Sequence, residues 1–256
     1  MQGVLSIAAN TIREGRRQKV FYAILFFAIA MILFGVAVSG MSIEDFDRIL
    51  HNVGSGAISL FGVLLAIFLG VGMVSREVDR KTVYTIVTKP IRRSSFILGK
   101  FLGLMGILAV VLVIMLACHL AVLYAFADSV ALGPLVWHVV LTLMQLAVLV
   151  AFAILMSTFT TPALSAFCTV GIYLIGSAAS TLYYFGMRSD LALGRWLTQA
   201  IYYGLPNLER FNVTHSVTYA IPVDPTLSAL AVLYGALYCG AFLIAASVIF
   251  ELRDLK

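Results

Sequence analysis

The feature that most constrains this chain is a series of long apolar stretches that contain no Lys, Arg, Asp or Glu. An α-helix needs roughly 20 apolar residues to cross the hydrocarbon core of a bilayer, and each of these stretches is long enough. The sequence therefore predicts an all-α, polytopic membrane protein that forms a single transmembrane domain over residues 1–256. Its six transmembrane helices are expected at about residues 20–40, 56–75, 101–127, 134–156, 163–187 and 226–250.

The composition supports a bilayer rather than water as the surrounding medium. Hydrophobic residues make up 62% of the chain and charged residues only 11%, whereas a soluble domain carries about 25% charged residues. None of the 17 Lys and Arg or the 12 Asp and Glu residues lies inside a predicted span. One charge at the bilayer centre costs about 3 kcal/mol on insertion scales, so a bilayer explains this exclusion.

The distribution of basic residues predicts the orientation of the helices. With the N-terminus in the cytoplasm, the external segments hold only Arg48, Arg188, Arg195 and Arg210, and the other 13 Lys and Arg residues face the cytoplasm. Cytoplasmic loops of membrane proteins carry such an excess. We therefore predict that both termini are cytoplasmic, and we interpret the net charge of +5 as a topology signal rather than as a sign of nucleic-acid binding.

Two segments outside the spans are also predicted to be helical. Residues 1–19 form an amphipathic helix in the cytoplasmic interface of the membrane, with an ordinary polar tail as the alternative. The external segment 188–225 is rich in apolar and aromatic residues, which favours short interfacial or re-entrant helices over a disordered loop. The predicted apolar face of the N-terminal helix consists of Val4, Leu5, Ala8 and Ile12.

Motifs for nucleotide or metal chemistry are missing from the sequence. A phosphate-binding loop requires G-x-x-x-x-G-K-[ST], but the nearest run has Ser94 at the first glycine position and Phe101 after Gly99 and Lys100. The histidines are scattered along the chain. We therefore expect no catalytic residue, no metal site and no cofactor in this chain.

His119 is the most unusual residue in the predicted spans. A histidine at such a depth serves as a substrate ligand or a proton site, or it hydrogen-bonds across a helix interface, and the sequence leaves these alternatives open. Ion-driven transporters keep acidic or basic residues within their spans, whereas the predicted spans of this chain contain none. The energy for any transport is therefore expected to come from outside this chain.

Two helical stripes of small and polar residues are candidates for a substrate path or a dimer interface. Small residues at every fourth position let helix backbones approach closely, and a polar face on a span lines a path for an amphiphilic substrate or packs against another helix. The stripe on the second span consists of Gly62, Ala66 and Gly70. The stripe on the fifth span consists of Ser165, Thr169, Tyr173, Ser177, Ser180 and Tyr184.

The cytoplasmic loop 76–100, together with the six spans and the N-terminal helix, resembles the permease subunits of ABC-2 type ABC transporters. The family pattern is an acidic residue, a charged run, a threonine, a hydrophobic stretch, a proline, basic residues and then Gly-Lys before the third span. Lys81 stands where many members have glycine. The matching positions are Glu77, Asp79, Arg80, Lys81, Thr82, Val83 to Val87 with Tyr84 and Thr85, Pro90, Arg92, Arg93, Gly99 and Lys100.

This resemblance implies that the loop forms a coupling helix that docks on a separate ATPase. It implies two ATPase subunits, which hold ATP and Mg²⁺, and a second copy of the permease or a sister permease. It also implies export across a bacterial or archaeal cytoplasmic membrane, with membrane lipid as a further partner. Two alternatives remain: a structural subunit that transmits ATPase motion without moving a solute, and an intramembrane enzyme that uses His119 or a serine.

Cysteine labelling tests the predicted orientation. In a variant whose native cysteines are replaced by alanine, Ser42→Cys and Ser216→Cys are expected to react with a membrane-impermeant maleimide added to intact cells. Ser94→Cys is expected to react only after the cells are opened, because it precedes the third span on the cytoplasmic side. The opposite labelling pattern would contradict the orientation.

Overall fold

The computed structural model describes residues 2–42, 45–79, 93–128, 130–188 and 192–252. Within these ranges the secondary structure is entirely helical, which confirms the predicted all-α class. A 3-10 helix, Leu208–Phe211, lies between α8 and α9. The α-helices are α1 Gln2–Arg16, α2 Lys19–Ser39, α3 Phe46–Asp79, α4 Arg93–Phe126, α5 Leu132–Phe159, α6 Pro162–Ser177, α7 Ala179–Met187, α8 Ala192–Gly204, α9 Thr214–Thr218 and α10 Pro225–Leu252.

The membrane-spanning helices correspond to the predicted apolar stretches. In the described part of the chain, α2, α3, α4, α5 and α10 are each long and apolar enough to cross a bilayer. Helices α6 and α7 pass the same test together, as a pair bent by 62°. We call the end of the bundle at Asp79 and Arg93 the loop end, and the opposite end, at Phe46 and Phe126, the distal end.

The fifth predicted span, 163–187, is therefore not one straight helix. The hydroxyl of Ser177 donates to the carbonyl oxygens of Tyr173 and Leu174, at 2.7 and 3.1 Å, where α6 ends. Gly176 lies against the backbone of Pro206, and a Cβ added at Gly176 would come within 2.7 Å of the Pro206 carbonyl oxygen. The bend thus forms where this glycine admits a neighbouring segment of chain.

Helices α3 and α4 extend beyond their predicted spans, because they begin at Phe46 and Arg93. Lys100 consequently lies inside α4, directly before the predicted span 101–127. It is only 2% exposed, and its Nζ lies 3.6 Å from Glu14 of α1. Apolar runs mark where lipid surrounds a helix, whereas a partnered charge allows the helix to continue beyond them.

Helix α1 packs alongside the first turns of α4. A Cβ added at Gly99 would come within 2.7 Å of Ile7, and one added at Gly103 within 2.5 Å of Thr11. The glycines thus form a groove that admits α1. Ala8 and Thr11 are buried in this contact, whereas Leu5 of the predicted apolar face is 65% exposed.

Helix α5 is the centre of the bundle. It packs against α3, α4, α6 and α10, and 67% of its apolar segment is buried, compared with 22% for α2 and for α10. The outer helices therefore keep large apolar side chains such as Phe26, Phe34 and Leu237 exposed. Lipid is the natural environment for these side chains.

The packing of α1 on α4 yields a stability prediction. Gly103→Val is expected to destabilise the detergent-solubilised protein by about 1–3 kcal/mol, because its side chain would overlap Thr11 and Ala8. Gly240→Ala is the matched control, since nothing lies within 4 Å of a Cβ added there. Thermal unfolding followed by circular dichroism measures both variants. Equal stability of Gly103→Val and the wild type would contradict the packing of α1.

Candidate functional site: a polar cavity at the distal end

Polar side chains from three spanning helices surround a cavity of about 190 Å³ at the distal end. A second, wider cavity of about 520 Å³ shares Glu209, Asn212 and Thr214 with the first, so the two are contiguous. The wider cavity is also lined by Asn52, His215, Thr218 and Tyr219. The residues that line the inner cavity are Gly56, Ser59, Gln145, Tyr173, Ser177, Leu208, Glu209, Phe211, Asn212 and Thr214.

The 3-10 helix Leu208–Phe211 forms one wall of the inner cavity. Its apolar side chains, Leu208 and Phe211, are 0% and 1% exposed and anchor it in the bundle. Asn207 begins this helix, since its side chain accepts a hydrogen bond from the Glu209 amide at 3.1 Å. The Asn207 amide in turn donates to the Tyr234 hydroxyl of α10 at 2.8 Å. The wall is thus held from both sides, and Glu209 lies on its cavity side.

Glu209 supplies the one carboxylate among the residues that line the two cavities. The backbone N–H of Ser180, in the first turn of α7, donates to Glu209 Oε2 at 3.3 Å. A helix N-terminus stabilises a carboxylate through its unpaired amides and its dipole. The guanidinium of Arg210 lies 4.9 Å from the ring centre of Tyr234 and does not line either cavity. The cavity therefore offers hydroxyl and amide groups and one fixed negative charge to a polar ligand.

The structure divides the polar stripe of the fifth span into two parts. Near the loop end, the hydroxyls of Ser165 and Ser157 lie 3.0 Å apart, and Thr169 donates to the Ser165 carbonyl oxygen at 2.7 Å. Both stripe residues are buried, so this part packs against α5. Beyond it, Tyr173 and Ser177 line the inner cavity. The packing and cavity-lining interpretations thus apply to different parts of the stripe.

The last two residues of this stripe follow the bend, in α7. Ser180 contacts Glu209 through its backbone, as described above. Tyr184 is 52% exposed, and the Arg188 guanidinium lies 4.2 Å from the centre of its ring. Because α7 is inclined to α6, these residues do not continue the line of Ser165 and Thr169.

The stripe on the second span packs inside the chain. A Cβ added at Gly62 would come within 3.2 Å of Leu146, and one added at Gly70 within 3.1 Å of Ala153, both on α5. Ala66, between them, is 0% exposed. In this structure, the face of α3 that carries this stripe packs against α5. The sequence had made the same face a candidate for a substrate path or a dimer interface.

Most of the predicted ATPase-coupling residues lie outside the described residues, and they remain predictions. Glu77 and Asp79 belong to the last turns of α3, and Arg93 is the first residue of α4. The coupling residues that the structure does not describe are Arg80, Lys81, Thr82, Tyr84, Thr85, Pro90 and Arg92.

Sequence reasoning missed most of the cavity. Ser59 and Gln145 lie in spanning helices that read as apolar, and only their convergence with the segment 207–214 makes them cavity residues. The Pro-Asn-Leu-Glu-Arg-Phe-Asn run at residues 206–212 was the available signal. It joins turn-forming residues and charged residues to two apolar anchors.

Water accessibility tests the cavity. In a background without native cysteines, Ser59→Cys is expected to react with a small charged methanethiosulfonate, because it lines the inner cavity. Thr169→Cys is the matched control and should stay unmodified, because Thr169 is buried on α6 with 0% exposure. Mass spectrometry of the intact protein measures both. Protection of Ser59→Cys equal to that of Thr169→Cys would contradict a water-filled cavity.

Comparison with known proteins agrees with an architecture of long apolar helices. The sequence model of the family described as "ABC-2 family transporter protein" matches residues 5–255, nearly the whole chain. No curated protein matches this chain. The family is a membrane component of transport that is not itself catalytic. This chain belongs to the ABC-2 family of transporter proteins and is a multi-pass membrane permease of the ABC transporter class.

Proposed function

We propose that this permease is the transmembrane subunit of an ATP-driven exporter and that a separate ATPase, docked on the segment 76–100, supplies the energy. The family implies ATPase partner subunits in general. The observation that carries the proposal for this chain is the length of α3 and α4. Each has 34 residues and is therefore about 51 Å long at about 1.5 Å per residue, well beyond a hydrocarbon core of about 30 Å.

Both helices extend beyond their predicted apolar spans at the loop end, where the ATPase would bind. Helix α3 continues past residue 75 to Asp79, and α4 begins at Arg93, eight residues before the predicted span 101–127. The two long helices thus flank the short segment 80–92. A push on that segment would act on both helices as rigid levers, since an uninterrupted helix transmits rigid-body motion.

Helix α1 couples the same movement to the rest of the chain. It lies in the glycine groove of α4 and forms the ion pair between Glu14 and Lys100 at 3.6 Å. A movement of α4 therefore displaces α1, and α1 leads directly into α2 at Lys19. ATP-driven closure of two ATPases would in this way change the packing of the first three spans.

The distal cavity supports export. In the predicted orientation it faces the exterior of the cytoplasmic membrane, where an exporter releases its substrate. The inner cavity holds about 190 Å³ and does not run through the chain, so a complete pathway requires a second permease. We therefore propose a dimer of this chain, or a pair with a sister permease, together with two ATPases that hold ATP and Mg²⁺.

Charge reversal in the coupling segment tests the docking of the ATPase. The double variant Glu77→Lys and Arg80→Glu is expected to lose the ATPase during purification while inserting normally into the membrane, because charged groups fix the orientation of such contacts. The matched control is Arg188→Glu with Asp224→Lys, two charge reversals toward the distal end. Co-purification and the ATP hydrolysis rate measure the outcome. A stoichiometric, active ATPase on the coupling variant would contradict the proposed docking site.

Reconstituted vesicles then separate transport from a purely mechanical role. A transporter hydrolyses ATP at a rate that depends on its solute, whereas a structural subunit hydrolyses ATP at a rate that no solute changes. The Ser59→Leu variant of the complex shows whether any solute dependence requires the inner cavity, since the leucine side chain would fill that cavity.

A further inference from the structure

Three histidines from three different helices converge inside the bundle near its distal end. His51 of α3, His119 of α4 and His138 of α5 are 5%, 0% and 1% exposed. Each lies five to seven residues from the distal end of its helix, which places all three about 8–10 Å inside the bundle at about 1.5 Å per residue. The rings of His51 and His119 meet edge to face, with their centres 6.2 Å apart. We call these three residues the histidine cluster.

His119 is the most deeply buried residue of this cluster, with 0% exposure. Its ring packs directly against Gly54 of α3, where any added Cβ would overlap it. Among the described residues, neither ring nitrogen of His119 has a hydrogen-bond partner. A neutral imidazole carries one donor and one acceptor, and buried polar groups in native proteins are paired with protein or with water. The His119 ring therefore calls for a small ligand that both donates and accepts hydrogen bonds.

The cluster is connected to the distal cavity through α3 and His138. The His138 Nε2 atom lies 3.2 Å from the carbonyl oxygen of Ser55 and 3.5 Å from the hydroxyl of Ser59. Ser59 lines the inner cavity. His51, Ser55 and Ser59 follow one another at intervals of four residues and so share one face of α3. Polar groups thus extend from the cavity to the buried rings.

The chemistry of the site favours a proton and its water over a metal ion. No group of three or more His, Cys, Asp or Glu residues in the described part of the chain has the geometry to hold a metal ion. Histidine is the side chain that changes its charge between about pH 5 and about pH 8. Ionisable side chains within membrane spans mark proton or substrate sites.

Burial inside the bundle is the largest electrostatic influence on the His119 ring. The charges of His51 of α3 and His138 of α5 add to it. Toward its distal end α2 carries no ionisable residue, and α1 lies at the loop end. The other titratable groups on the distal parts of the neighbouring elements are Asp47 and Arg48 on α3, Cys118 and Tyr124 on α4, Asp128 after α4, Tyr173 on α6, Glu209 and Arg210 on the 3-10 helix, His215 on α9, Tyr219 after α9, and Tyr234, Tyr238 and Cys239 on α10.

We propose that the histidine cluster is a hydrated proton-binding site, and that its proton is exchanged with the distal cavity through Ser59 and His138. Binding transfers a proton from a hydronium ion to an imidazole nitrogen: one O–H bond breaks, one N–H bond forms, and a water molecule and an imidazolium remain. The charge appears between α3, α4 and α5, so the helices that carry the coupling segment at the loop end sense it. The regulatory consequence, control of the ATP-driven cycle by the pH on the distal side, rests on the proposed function.

Nuclear magnetic resonance of the permease tests the site directly. The protein, labelled with ¹⁵N-histidine and reconstituted in lipid nanodiscs, is titrated from about pH 8 to about pH 5. We expect at least one cluster histidine to change protonation state. Spectra of His119→Gln and His215→Gln assign the resonances. Spectra in which the rings of all three cluster histidines stay unchanged would overturn the proposal. This measurement needs neither ATPase nor substrate, so it succeeds or fails independently of the proposed function.

Proteoliposomes containing the complete complex test the regulatory consequence. The pH of the ATP-containing compartment is held constant while the pH of the opposite compartment is changed, and each rate is expressed relative to the same variant at about pH 8. The wild-type rate is expected to change, and His119→Gln is expected to lose that response, whereas Phe34→Leu, on the exposed face of α2, retains it. A wild-type response in correctly assembled His119→Gln would overturn the coupling of the site to the cycle. A wild-type complex without any ATP hydrolysis would instead contradict the proposed function.

Discussion

The structure depends on one constraint: within lipid, a polar group must find its partner inside the protein. Lys100 satisfies it by pairing with Glu14, and this pair fixes α1 against α4. Ser157 and Ser165 satisfy it with each other, where α5 meets α6. Each polar pair thereby also specifies how two helices pack. Hydrophobic burial alone does not, because lipid tails are as apolar as the helix surfaces.

The constraint also explains where polar groups without such pairs accumulate. Glu209, Asn212 and Thr214 surround a cavity at the distal end, where water can reach them. The 3-10 helix that carries Glu209 is held by buried Leu208 and Phe211, so its polar side chains are positioned by an apolar anchor. The polar groups of this cavity therefore lie on a fixed wall of the bundle, at the end opposite the long extensions of α3 and α4.

The sequence predicted where the long apolar helices lie, because a charge in lipid is costly and is kept out of these stretches. It did not reveal that Lys100 is buried, since that burial depends on Glu14 from a distant part of the chain. The bend at Ser177 was missed for a related reason. It depends on the approach of Pro206 to Gly176, which no local pattern reveals.

The candidate site likewise combines features that the sequence shows with contacts between distant segments that it does not show. The polar face of α6 was visible from its spacing, but its division into a packed part at Ser165 and a cavity-lining part at Tyr173 was not. His119 was recognised as unusual, whereas its convergence with His51 and His138 required the three-dimensional packing of three helices. Function that resides in contacts between distant segments is the part that a single sequence does not show.

The bend between α6 and α7 has a consequence for how this protein matches its membrane. The 16 residues of α6 give a rod of about 24 Å, shorter than a hydrocarbon core of about 30 Å. The inclined α7 adds about 6 Å along the direction of α6, at about 1.5 Å per residue, so the crossing just covers an average bilayer. A straight helix accommodates hydrophobic mismatch by tilting, whereas this crossing has to change its angle at Ala178. A change in bilayer thickness therefore acts on the bend between α6 and α7, which lies beside the Glu209 cavity.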